Sequence, residues 1–446
     1  VGVAGTTSLT AVGDRLGAPM SGGVYRRPWW VRQVDEPTTG VDWDRIKRFN
    51  AADDTLAHSG LGRFASEQEN ERLQNLYEAN QQRRAANGEP GYTLKDSALL
   101  NALHSTRNAM PRTFLGPQQA PRPEDMGLER WQGTPHENAA MLKVAMRQMG
   151  ASTVGIVELN ERTRKLIYSV DRDGKEIVFD HVDHGYEDND KRVIPYRARW
   201  VVVYTVQMSD IAMKRAPTKI AQVTTSETYQ RGLSIQNNTQ EFLRGLGYQG
   251  LGEAVLNGLG ISPALAVMAG LGELSRLNRV ITPEYGPMVR VFKMLTNLPV
   301  APTRPIDAGI MNFCKDCMTC ATYCPSNSLS TSREPSYETQ GAWSRGGIKT
   351  WYENALTCRN YWAEVGTNCG ICFAVCPFAV KDRALIHQMV KGTIGTTTIF
   401  NSAFADMSRR LYLPNPAGQP QKDTEEWWTL DYSEFGIDST QGHGDA

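Results

Sequence analysis

All eight cysteines of this 446-residue sequence lie between positions 314 and 376. The first four follow the pattern C-x2-C-x2-C-x3-C-P, which begins at Cys314 and ends at Pro325. Three more follow C-x2-C-x3-C-P between Cys369 and Pro377, and ten residues separate Cys358 from Cys369. Thiolates at these intervals are typical ligands of metal ions and metal clusters, whereas disulfide frameworks spread their cysteines over a small secreted domain. The sequence therefore predicts a metal-binding segment confined to one part of a longer chain.

The first cysteine run has the spacing and the final proline of bacterial ferredoxins, where three cysteines bind one [4Fe–4S] cluster and the fourth binds another. The second run lacks one ligand, and in our interpretation Cys358 supplies it. Two clusters then have four thiolates each, and none of the eight cysteines is left over. A zinc site would explain a single C-x2-C pair but not two C-x2-C-x3-C-P endings. The predicted ligands are Cys314, Cys317, Cys320 and Cys376 for one cluster, and Cys324, Cys358, Cys369 and Cys372 for the other.

Two clusters at this spacing form a path for electrons, and such a path needs a redox-active site at its inner end. That site cannot be another cysteine site, because the first 313 residues contain no cysteine. The upstream part of the chain is therefore predicted to bind an organic or corrinoid cofactor, or a substrate directly.

The elements that must position this site are predicted from the pattern of apolar residues. Helical spacing predicts a helix over 137–149, and runs of β-branched and aromatic residues predict buried strands over 154–159, 200–206 and 289–294. A long helix is predicted over 225–246. The order of these elements predicts an α/β (α+β) sandwich, with the 200–206 strand in the middle of its sheet and the cysteine module appended.

Outside this core the sequence is less regular. One helix is predicted over 66–86, a proline- and charge-rich linker over 116–133, and a polar loop over 171–192. After the last cysteine run the chain is predicted to be helical from 380 to about 412. We expect four parts: an N-terminal wrapping unit (1–134), a cofactor-binding α/β core (135–305), a ferredoxin-like module (306–380), and a C-terminal helix and tail that complete the core (381–446).

Two motifs outside the cysteine module carry less information. Gly245-Leu-Gly247-Tyr-Gln-Gly250 fits G-x-G-x-x-G, but a dinucleotide site needs a preceding strand, and here a long helix precedes it. We therefore predict a helix end followed by a turn. His181 and His184 fall in the polar loop and lack the spacing of a corrinoid-ligating motif, so they are predicted to be solvated.

The charge balance argues against one class of function. The sequence has 48 basic and 48 acidic residues, which disfavours a broad nucleic-acid-binding face. The sequence contains no run of about 18 uninterrupted apolar residues, so no transmembrane helix is predicted. The small, uncharged residues 1–12 allow two interpretations, the end of an export signal or a flexible N-terminal arm.

A resemblance to a known family rests on several short motifs ahead of and within the cysteine module. Cys358-x10-Cys369 matches that family's altered second run, and four upstream motifs stand in the family's order: Ala269-Gly-Leu-Gly272, Ile281-Thr-Pro-Glu-Tyr-Gly-Pro287, Asn297-Leu-Pro299 and Arg304-Pro-Ile-Asp307. Over about residues 135–379 the sequence resembles the catalytic subunit of respiratory, corrinoid-dependent reductive dehalogenases. The first 130 residues match only loosely, as expected of the part that shapes the substrate pocket.

The resemblance implies a nitroreductase-like core that binds a base-off, cobalamin-type corrinoid, with no protein histidine on cobalt. Electrons would pass from an outer cluster to an inner cluster and then to cobalt, and hydrogen would replace the halogen of a small organohalide. The family also implies export by a Tat signal to the outer face of the cytoplasmic membrane. A small integral-membrane subunit would anchor the protein there, and a quinol- or hydrogenase-linked donor would supply electrons.

The resemblance also assigns roles to four residues by their positions in matching motifs. Tyr229, on the long helix, matches the proton donor, and Arg290, after the Gly-Pro turn, matches the arginine that stabilises its phenolate. Asn257 matches the third polar residue of the pocket, and Trp362 matches a tryptophan of the pocket wall. Each residue type taken alone is more often structural, so the family match carries these assignments.

Two rival functions share some of these features. An epoxyqueuosine reductase would also use a corrinoid and two clusters, but it would need a basic tRNA face, and the zero net charge opposes that. A two-cluster electron-transfer subunit would leave the α/β sequence before the cysteines unexplained. Among reductive dehalogenases, the segment 135–199 most resembles members that act on small chlorinated alkanes.

Overall fold

The computed structural model describes residues 27–54, 63–341, 343–379 and 385–430. Residues 1–12, where an export signal or an arm is predicted, lie outside these ranges. Among the helices in the described ranges, none combines the length and the apolar character that a membrane span requires.

The described strands and helices alternate through the first three hundred residues, and helices predominate afterwards. In chain order the strands are β1 (Arg32–Gln33), β2 (Thr153–Glu158), β3 (Glu176–Asp180), β4 (Tyr186–Glu187), β5 (Lys191–Pro195), β6 (Trp200–Gln207), β7 (Gly250–Leu251), β8 (Glu273–Leu274), β9 (Val280–Ile281), β10 (Val289–Thr296) and β11 (Ile306–Asp307). The helices are α1 (Glu67–Ala86), α2 (Leu94–Ala109), α3 (Pro135–Gln148), α4 (Asp210–Met213), α5 (Lys219–Gly245), α6 (Ser262–Met268), α7 (Ile310–Cys317), α8 (Thr319–Thr322), α9 (Ala355–Val365), α10 (Ile371–Ala374), α11 (Leu385–Thr396) and α12 (Asn401–Tyr412).

A four-stranded antiparallel sheet with the order β2-β6-β10-β7 forms the centre of the core. β6 pairs with β2 along one edge and with β10 along the other, which confirms the predicted central position of the 200–206 strand. Its residues are buried on both faces, and this explains why its sequence reads as one apolar run rather than as an alternating pattern.

Helices cover both faces of this sheet. On one face, Val202 and Tyr204 of β6 pack in a cluster with residues of α3 and α5, among them Leu142 and Ile235. On the other face, Val201 and Val203 pack with residues of α6 and of the loops around it. Successive strand residues point to opposite faces, so one apolar strand supplies both layers. The predicted α/β sandwich is confirmed in this form, as a mixed fold with an antiparallel sheet.

The helix α5 approaches the sheet unusually closely at Gly232. A Cβ atom at this position would lie 2.1 Å from the ring carbon Cζ of Phe292 on β10, so only glycine fits. The Tyr204 hydroxyl donates a hydrogen bond of 2.7 Å to the Gly232 carbonyl. The helix begins at Lys219, six residues before the predicted start, because residues 219–224 are also buried against the core.

Two predictions about irregular segments are wrong. The predicted polar loop over 171–192 contains β3, β4 and the start of β5, which form a small sheet of order β3-β5-β4. The charged residues of this segment obscure the apolar pattern that predicts strands. Arg192 is buried in ion pairs with Asp171, Asp173 and Glu187 instead of facing solvent.

The N-terminal region also holds more regular structure than predicted. The helix expected over 66–86 is confirmed as α1, and the Ser66 hydroxyl accepts a hydrogen bond of 3.0 Å from the Glu69 amide at its start. A second helix, α2, was not predicted, because only Asp96 and Leu100 along it are buried. α2 packs against α5, and α1 packs against α9.

The cysteine module packs between the core and the C-terminal helices. α12 and α11 contact α7, and α10 contacts α4. The helical prediction for the chain after the module is confirmed over α11 and α12, while residues 380–384 lie outside the described ranges. β1 pairs with β11, so the N-terminal region is joined to the segment that leads into the module.

Candidate functional site

Tyr229 lies on the face of α5 that meets the sheet. Thr225, Tyr229 and Gly232 stand at helical spacing on this face, and Phe292 packs against the Tyr229 ring edge-on at 5.9 Å between centroids. The Tyr229 hydroxyl donates a hydrogen bond of 3.1 Å to the side-chain oxygen of Asn257. The close approach of α5 to β10 at Gly232 therefore fixes where the phenol group lies.

Arg290 belongs to the same face of β10 as Phe292, because side chains two residues apart on a strand point the same way. Its Nη2 donates to the Thr225 hydroxyl at 3.1 Å, and its guanidinium carbon lies 5.3 Å from the centre of the Tyr229 ring. On its other side the guanidinium lies 5.7 Å from the ring of Phe373 in α10. Arg290 thus joins the core sheet, the long helix and the cysteine module at one point.

Asn257 sits in the loop between β7 and α6 with a left-handed backbone (φ 55°), a conformation that asparagine tolerates better than most residues. The loop is held at Glu253, whose amide and carbonyl exchange hydrogen bonds of 3.0 and 3.1 Å with the Gln236 side chain on α5. The Glu253 carboxylate pairs with the buried Lys293 ammonium of β10 at 2.8 Å. Burial raises the pKa of Glu253, and the Lys293 charge opposes this shift. These contacts present Asn257 to Tyr229.

The structure therefore brings together three of the four residues that the family resemblance singled out, namely Tyr229, Asn257 and Arg290. Trp362 belongs to a different local group on α9, where the Arg359 guanidinium lies 5.1 Å from its ring. Burial lowers the pKa of Arg359, and the nearby Tyr77 and Cys358 oppose this shift. The pocket-wall role of Trp362 stays a prediction.

Three further arginines around Tyr229 were not predicted. Arg107, Arg112 and Arg172 each lie within electrostatic range of the Tyr229 hydroxyl. Positive charge on several sides makes the loss of a proton from a phenol less costly. Arg107 and Arg112 come from the N-terminal region, and no sequence motif marks them. Thr225 was detectable in principle, because it stands one helical turn before Tyr229.

The eight thiols lie close together, and we call the two predicted ligand sets cluster A (Cys314, Cys317, Cys320, Cys376) and cluster B (Cys324, Cys358, Cys369, Cys372); this assignment stays a prediction. A cavity is lined by all four cysteines of cluster A. In cluster B, Cys372 interacts electrostatically with Cys369 and Cys324, and Cys358 with Cys372 and Cys324. The two groups are neighbours, since Cys320 of cluster A interacts with Cys372 of cluster B.

The chemistry of these thiols fits iron–sulfur clusters. Burial raises the pKa of Cys314 to about 12 and that of Cys369 to about 12, so the free thiols are protonated at neutral pH. Bound cationic iron would stabilise the thiolates that burial disfavours. In the described part of the chain, no three His, Cys, Asp or Glu side chains converge as closely as a single metal ion requires. A four-iron cluster spaces its ligands more widely than a single ion does.

Unpaired polar atoms near the trio suit a large amide-bearing cofactor. Arg290 Nε, Arg172 Nε and Gln222 Oε1 are buried without a hydrogen-bond partner among the described residues. Gln222 stands two helical turns before Tyr229, on the same face of α5. The peripheral amides of a corrinoid would supply both donors and acceptors to such atoms, so the residues present fit this group.

The remaining sequence motifs are structural or exposed. His181 and His184 are exposed in the loop between β3 and β4, as predicted, and the His181 ring packs against Tyr196 at a tilt, with 4.5 Å between the ring centroids. The Gly245–Gly250 motif is a helix end and turn, as predicted, because α5 ends at Gly245 and Gly247 adopts a left-handed conformation (φ 84°).

Comparison with known proteins gives matches along most of the chain. The family model described as a reductive dehalogenase subunit matches residues 26–174 and 170–300, and one for a 4Fe-4S double cluster binding domain matches residues 313–379. The trichloroethene reductive dehalogenase of Dehalococcoides mccartyi is 27% identical over 94% of this chain and 89% of its own length. The tetrachloroethene reductive dehalogenase of Sulfurospirillum multivorans is 33% identical over 68% of this chain and 62% of its own length.

Solved structures agree on the fold. The catabolic reductive dehalogenase NpRdhA matches with a TM-score of 0.60 and 21% identity over 88% of this chain. The present chain spans about half (49%) of the length of that protein.

An epoxyqueuosine reductase of Lactococcus garvieae matches only 28% of this chain, which weakens the tRNA-modifying alternative. Because the dehalogenase model covers more than half of the sequence, the chain belongs to the reductive dehalogenase family, whose catalytic subunits are oxidoreductases acting on carbon–halogen bonds.

Proposed function

We propose that this chain is the catalytic subunit that replaces a carbon-bound halogen, chloride in particular, with hydrogen. The reaction consumes two electrons and one proton per halide released. The observation that carries the proposal is the meeting of Tyr229, Asn257 and Arg290 at a point where Arg290 also touches Phe373 of the cysteine module. A proton donor, a fixed cation and the two-cluster module then share one site.

The cofactors are a corrinoid and two [4Fe–4S] clusters. When bound, the corrinoid supplies a strongly reducing cobalt that cleaves the carbon–halogen bond. Three residues are suited to hold its amides: Gln222 on α5, Arg290 on β10 and Arg172 in the loop before β3. We assign Cys314, Cys317, Cys320 and Cys376 to cluster A and Cys324, Cys358, Cys369 and Cys372 to cluster B.

The role of the polar trio follows from its hydrogen bonds. The Asn257 oxygen accepts from the Tyr229 hydroxyl and so fixes the direction of the O–H bond in the resting site. On proton transfer from the Tyr229 oxygen to the substrate carbon, the remaining phenolate is stabilised by the guanidinium groups of Arg290, Arg107 and Arg112. Arg290 is itself held by Thr225, which keeps its charge over the Tyr229 ring.

Several finer features belong to the same proposal. The core is nitroreductase-like, and the four parts are the wrapping unit, core, module and tail with the boundaries given above. Trp362 is part of the pocket wall. The protein works on the outer face of the cytoplasmic membrane after Tat-dependent export. There it is held by a small integral-membrane subunit and receives electrons from a quinol- or hydrogenase-linked donor.

The substrate is proposed to be a small chlorinated hydrocarbon. The two reductive dehalogenases compared above by sequence are named for trichloroethene and tetrachloroethene, which favours chlorinated alkenes, while the segment 135–199 suggests chlorinated alkanes. A panel of both classes with reduced viologen as donor, followed by chloride release, decides between them. An active preparation that contains no cobalt would refute the corrinoid, and an inactive one that contains iron but no cobalt would favour a two-cluster electron-transfer subunit.

The proton-donor role is tested with Tyr229→Phe in protein purified anaerobically. Proton donors of this kind contribute roughly 100- to 10,000-fold to rate, so turnover should fall by at least about 100-fold. Iron and cobalt contents should remain those of the unchanged protein. The matched control is Tyr248→Phe, on a buried tyrosine of the same core whose hydroxyl bonds to the Trp131 carbonyl. Undiminished turnover in Tyr229→Phe would remove Tyr229 from the mechanism.

A further inference from the structure

The hairpin of β8 and β9 carries two arginines three residues apart, Arg276 and Arg279, and each approaches a different cluster. Arg276 lies within electrostatic range of Cys314, Cys317 and Cys320 of cluster A. Arg279 lies within range of Cys358 and Cys372 of cluster B. One short turn therefore places a guanidinium group beside each of the two cysteine groups, and the surroundings of the two groups differ.

Arg276 is almost completely buried, at 1% exposure. Its Nε and Nη2 donate to the Cys314 carbonyl at 3.0 and 2.8 Å, and its Nη1 donates to the carbonyls of Ser330 and Ser332 at 2.7 Å each. The Trp351 ring lies 4.6 Å from the guanidinium carbon. Every acceptor that the described residues offer to Arg276 is a neutral carbonyl. Its positive charge is thus held beside cluster A without a carboxylate in direct contact among the described residues, although the Glu273 carboxylate also lies within electrostatic range of Cys314.

Arg279 has a carboxylate partner. Its Nη2 lies 2.7 Å from Oε1 of Glu353, whose side chain is 13% exposed. Glu353 stands five residues before Cys358 and is itself within electrostatic range of Cys358 and Cys372. The pair therefore presents almost no net charge to cluster B.

The other charges around cluster A are balanced or offset. Arg409 donates to the Cys317 carbonyl at 2.8 Å, but it also pairs with Asp406. The buried Glu273 carboxylate lies at the start of α7, where it accepts hydrogen bonds from the amides of Ala308 and Ile310. Backbone amides at a helix start carry partial positive charge, which offsets that carboxylate. Among the described charges beside cluster A, Arg276 is therefore the one without an ion-pair partner or helix amides to offset it.

A [4Fe–4S] cluster held by four thiolates becomes one unit more negative when it takes up an electron. A buried, unbalanced cation stabilises the reduced state and raises the reduction potential, and a neutral ion pair does so far less. We propose that Arg276 and the Arg279–Glu353 pair set the two clusters at different potentials, with cluster A higher than cluster B.

The positions of the clusters give this difference a direction. Cluster B is adjacent to the catalytic trio, because Phe373 follows Cys372 in sequence and contacts Arg290. Cluster A lies beside α12, whose Arg409 donates to the Cys317 carbonyl. An electron that enters at cluster A then moves to a cluster of lower potential, an uphill step, and cluster B next to the site is the stronger reductant once it is reduced. The direction rests on the proposed function, whereas the potentials do not depend on dehalogenation.

The test is a redox titration of the loaded protein, followed by electron paramagnetic resonance of the two reduced clusters. Arg276→Gln should lower the potential of one cluster and leave the other unchanged. Arg276→Lys keeps the charge and should restore most of the shift. Glu353→Gln leaves Arg279 unbalanced and should raise the potential of the other cluster.

The outcomes separate cleanly. The proposal is overturned if Arg276→Gln and Glu353→Gln move the same cluster, or if either moves none while the iron content is unchanged. If Arg276→Gln loses iron, Arg276→Lys and Glu353→Gln still carry the test. In that case the potential of cluster A in Arg276→Lys must stay near that of the unchanged protein, and Glu353→Gln must raise the potential of cluster B only. Any other pattern refutes the proposal. Correct shifts in a protein without dehalogenase activity would sink the proposed function alone.

Discussion

Asn257 combines a left-handed backbone with the hydrogen bond that orients Tyr229. Glycine adopts the same backbone without strain, so Asn257→Gly removes the acceptor and leaves the loop conformation available. A hydrogen bond of this kind contributes about 1 kcal/mol, so the turnover rate should fall by roughly 3- to 10-fold. Chloride release with reduced viologen measures it, and thermal unfolding should change little.

The matched control is Gln118→Gly, at another left-handed residue (φ 60°), in an exposed loop at the far end of α5. It relaxes a similar backbone without touching the trio, and it should leave turnover unchanged. Equal losses in both variants would mean that loop conformation, rather than the Asn257 oxygen, limits the rate.

At the scale of single residues, sequence alone identified some residues of the candidate site and missed others. Tyr229, Asn257 and Arg290 were assigned through motif positions in a known family, and the structure brings them together. Arg112 and Phe373 could not be assigned in this way, since they meet the trio only because α2, α10 and β10 converge in space. A contact between residues so far apart in the chain leaves no local pattern in the sequence.

The packing of α5 on β10 sets the distance between Tyr229 and Arg290, and Gly232 permits it. In Gly232→Ala the new methyl group would overlap the Phe292 ring, so the helix must move away from the strand. Overpacking of this kind costs about 1–3 kcal/mol of unfolding free energy. Because the movement separates Tyr229 from Arg290, turnover should fall further than stability alone explains.

Gly245→Ala is the matched control, because it lies on the same helix and its nearest neighbour would be 3.9 Å from the new carbon atom. Its unfolding midpoint and turnover should both stay near those of the unchanged protein. If Gly232→Ala also keeps full turnover, the site does not depend on the close approach of these two elements.

At the scale of elements, apolar periodicity predicted α3, β2, β6 and β10 well, because each buries a continuous apolar face. It failed for β3 to β5, where the buried Arg192 forms ion pairs with three carboxylates. These charged residues make the segment look like a polar loop in the sequence. It also failed for α2, which buries only Leu100 and Asp96. Ion pairing and one-sided packing stabilise these elements, and neither produces a strong apolar pattern.

The whole molecule depends on its clusters in a way that pH should reveal. The folded, unloaded protein has cysteine pKa values of about 12 at Cys314 and Cys369, above the usual value of about 8.5 for an unfolded chain. A raised folded-state pKa adds stability below pH 8.5, and that stability is lost as the pH rises towards 12. Between these two pH values the loss is at most about 1.4 kcal/mol per buried thiol per pH unit.

Chelator-treated protein should therefore unfold at a lower urea concentration at pH 9.5 than at pH 7.5. The loaded protein should not show this difference, because its thiolates are already ionised and bound to iron. Equal midpoints at both pH values in the unloaded protein would mean that the thiols are not buried without their clusters.

The contacts that close the molecule join its two ends. The Trp428 indole donates to the Asp96 carboxylate at 2.9 Å, Lys95 pairs with Glu425, and α1 packs on the helix that carries Cys358. During synthesis, α1 and α2 leave the ribosome long before any of these partners exists. α2 can pack on α5 earlier, but these particular contacts join residues more than 250 positions apart, and contacts of such wide sequence separation form slowly. The contacts of α1 with α9 and of the α2 start with residues 425–428 are thus expected to be among the last to form, after the central sheet and α5 have packed.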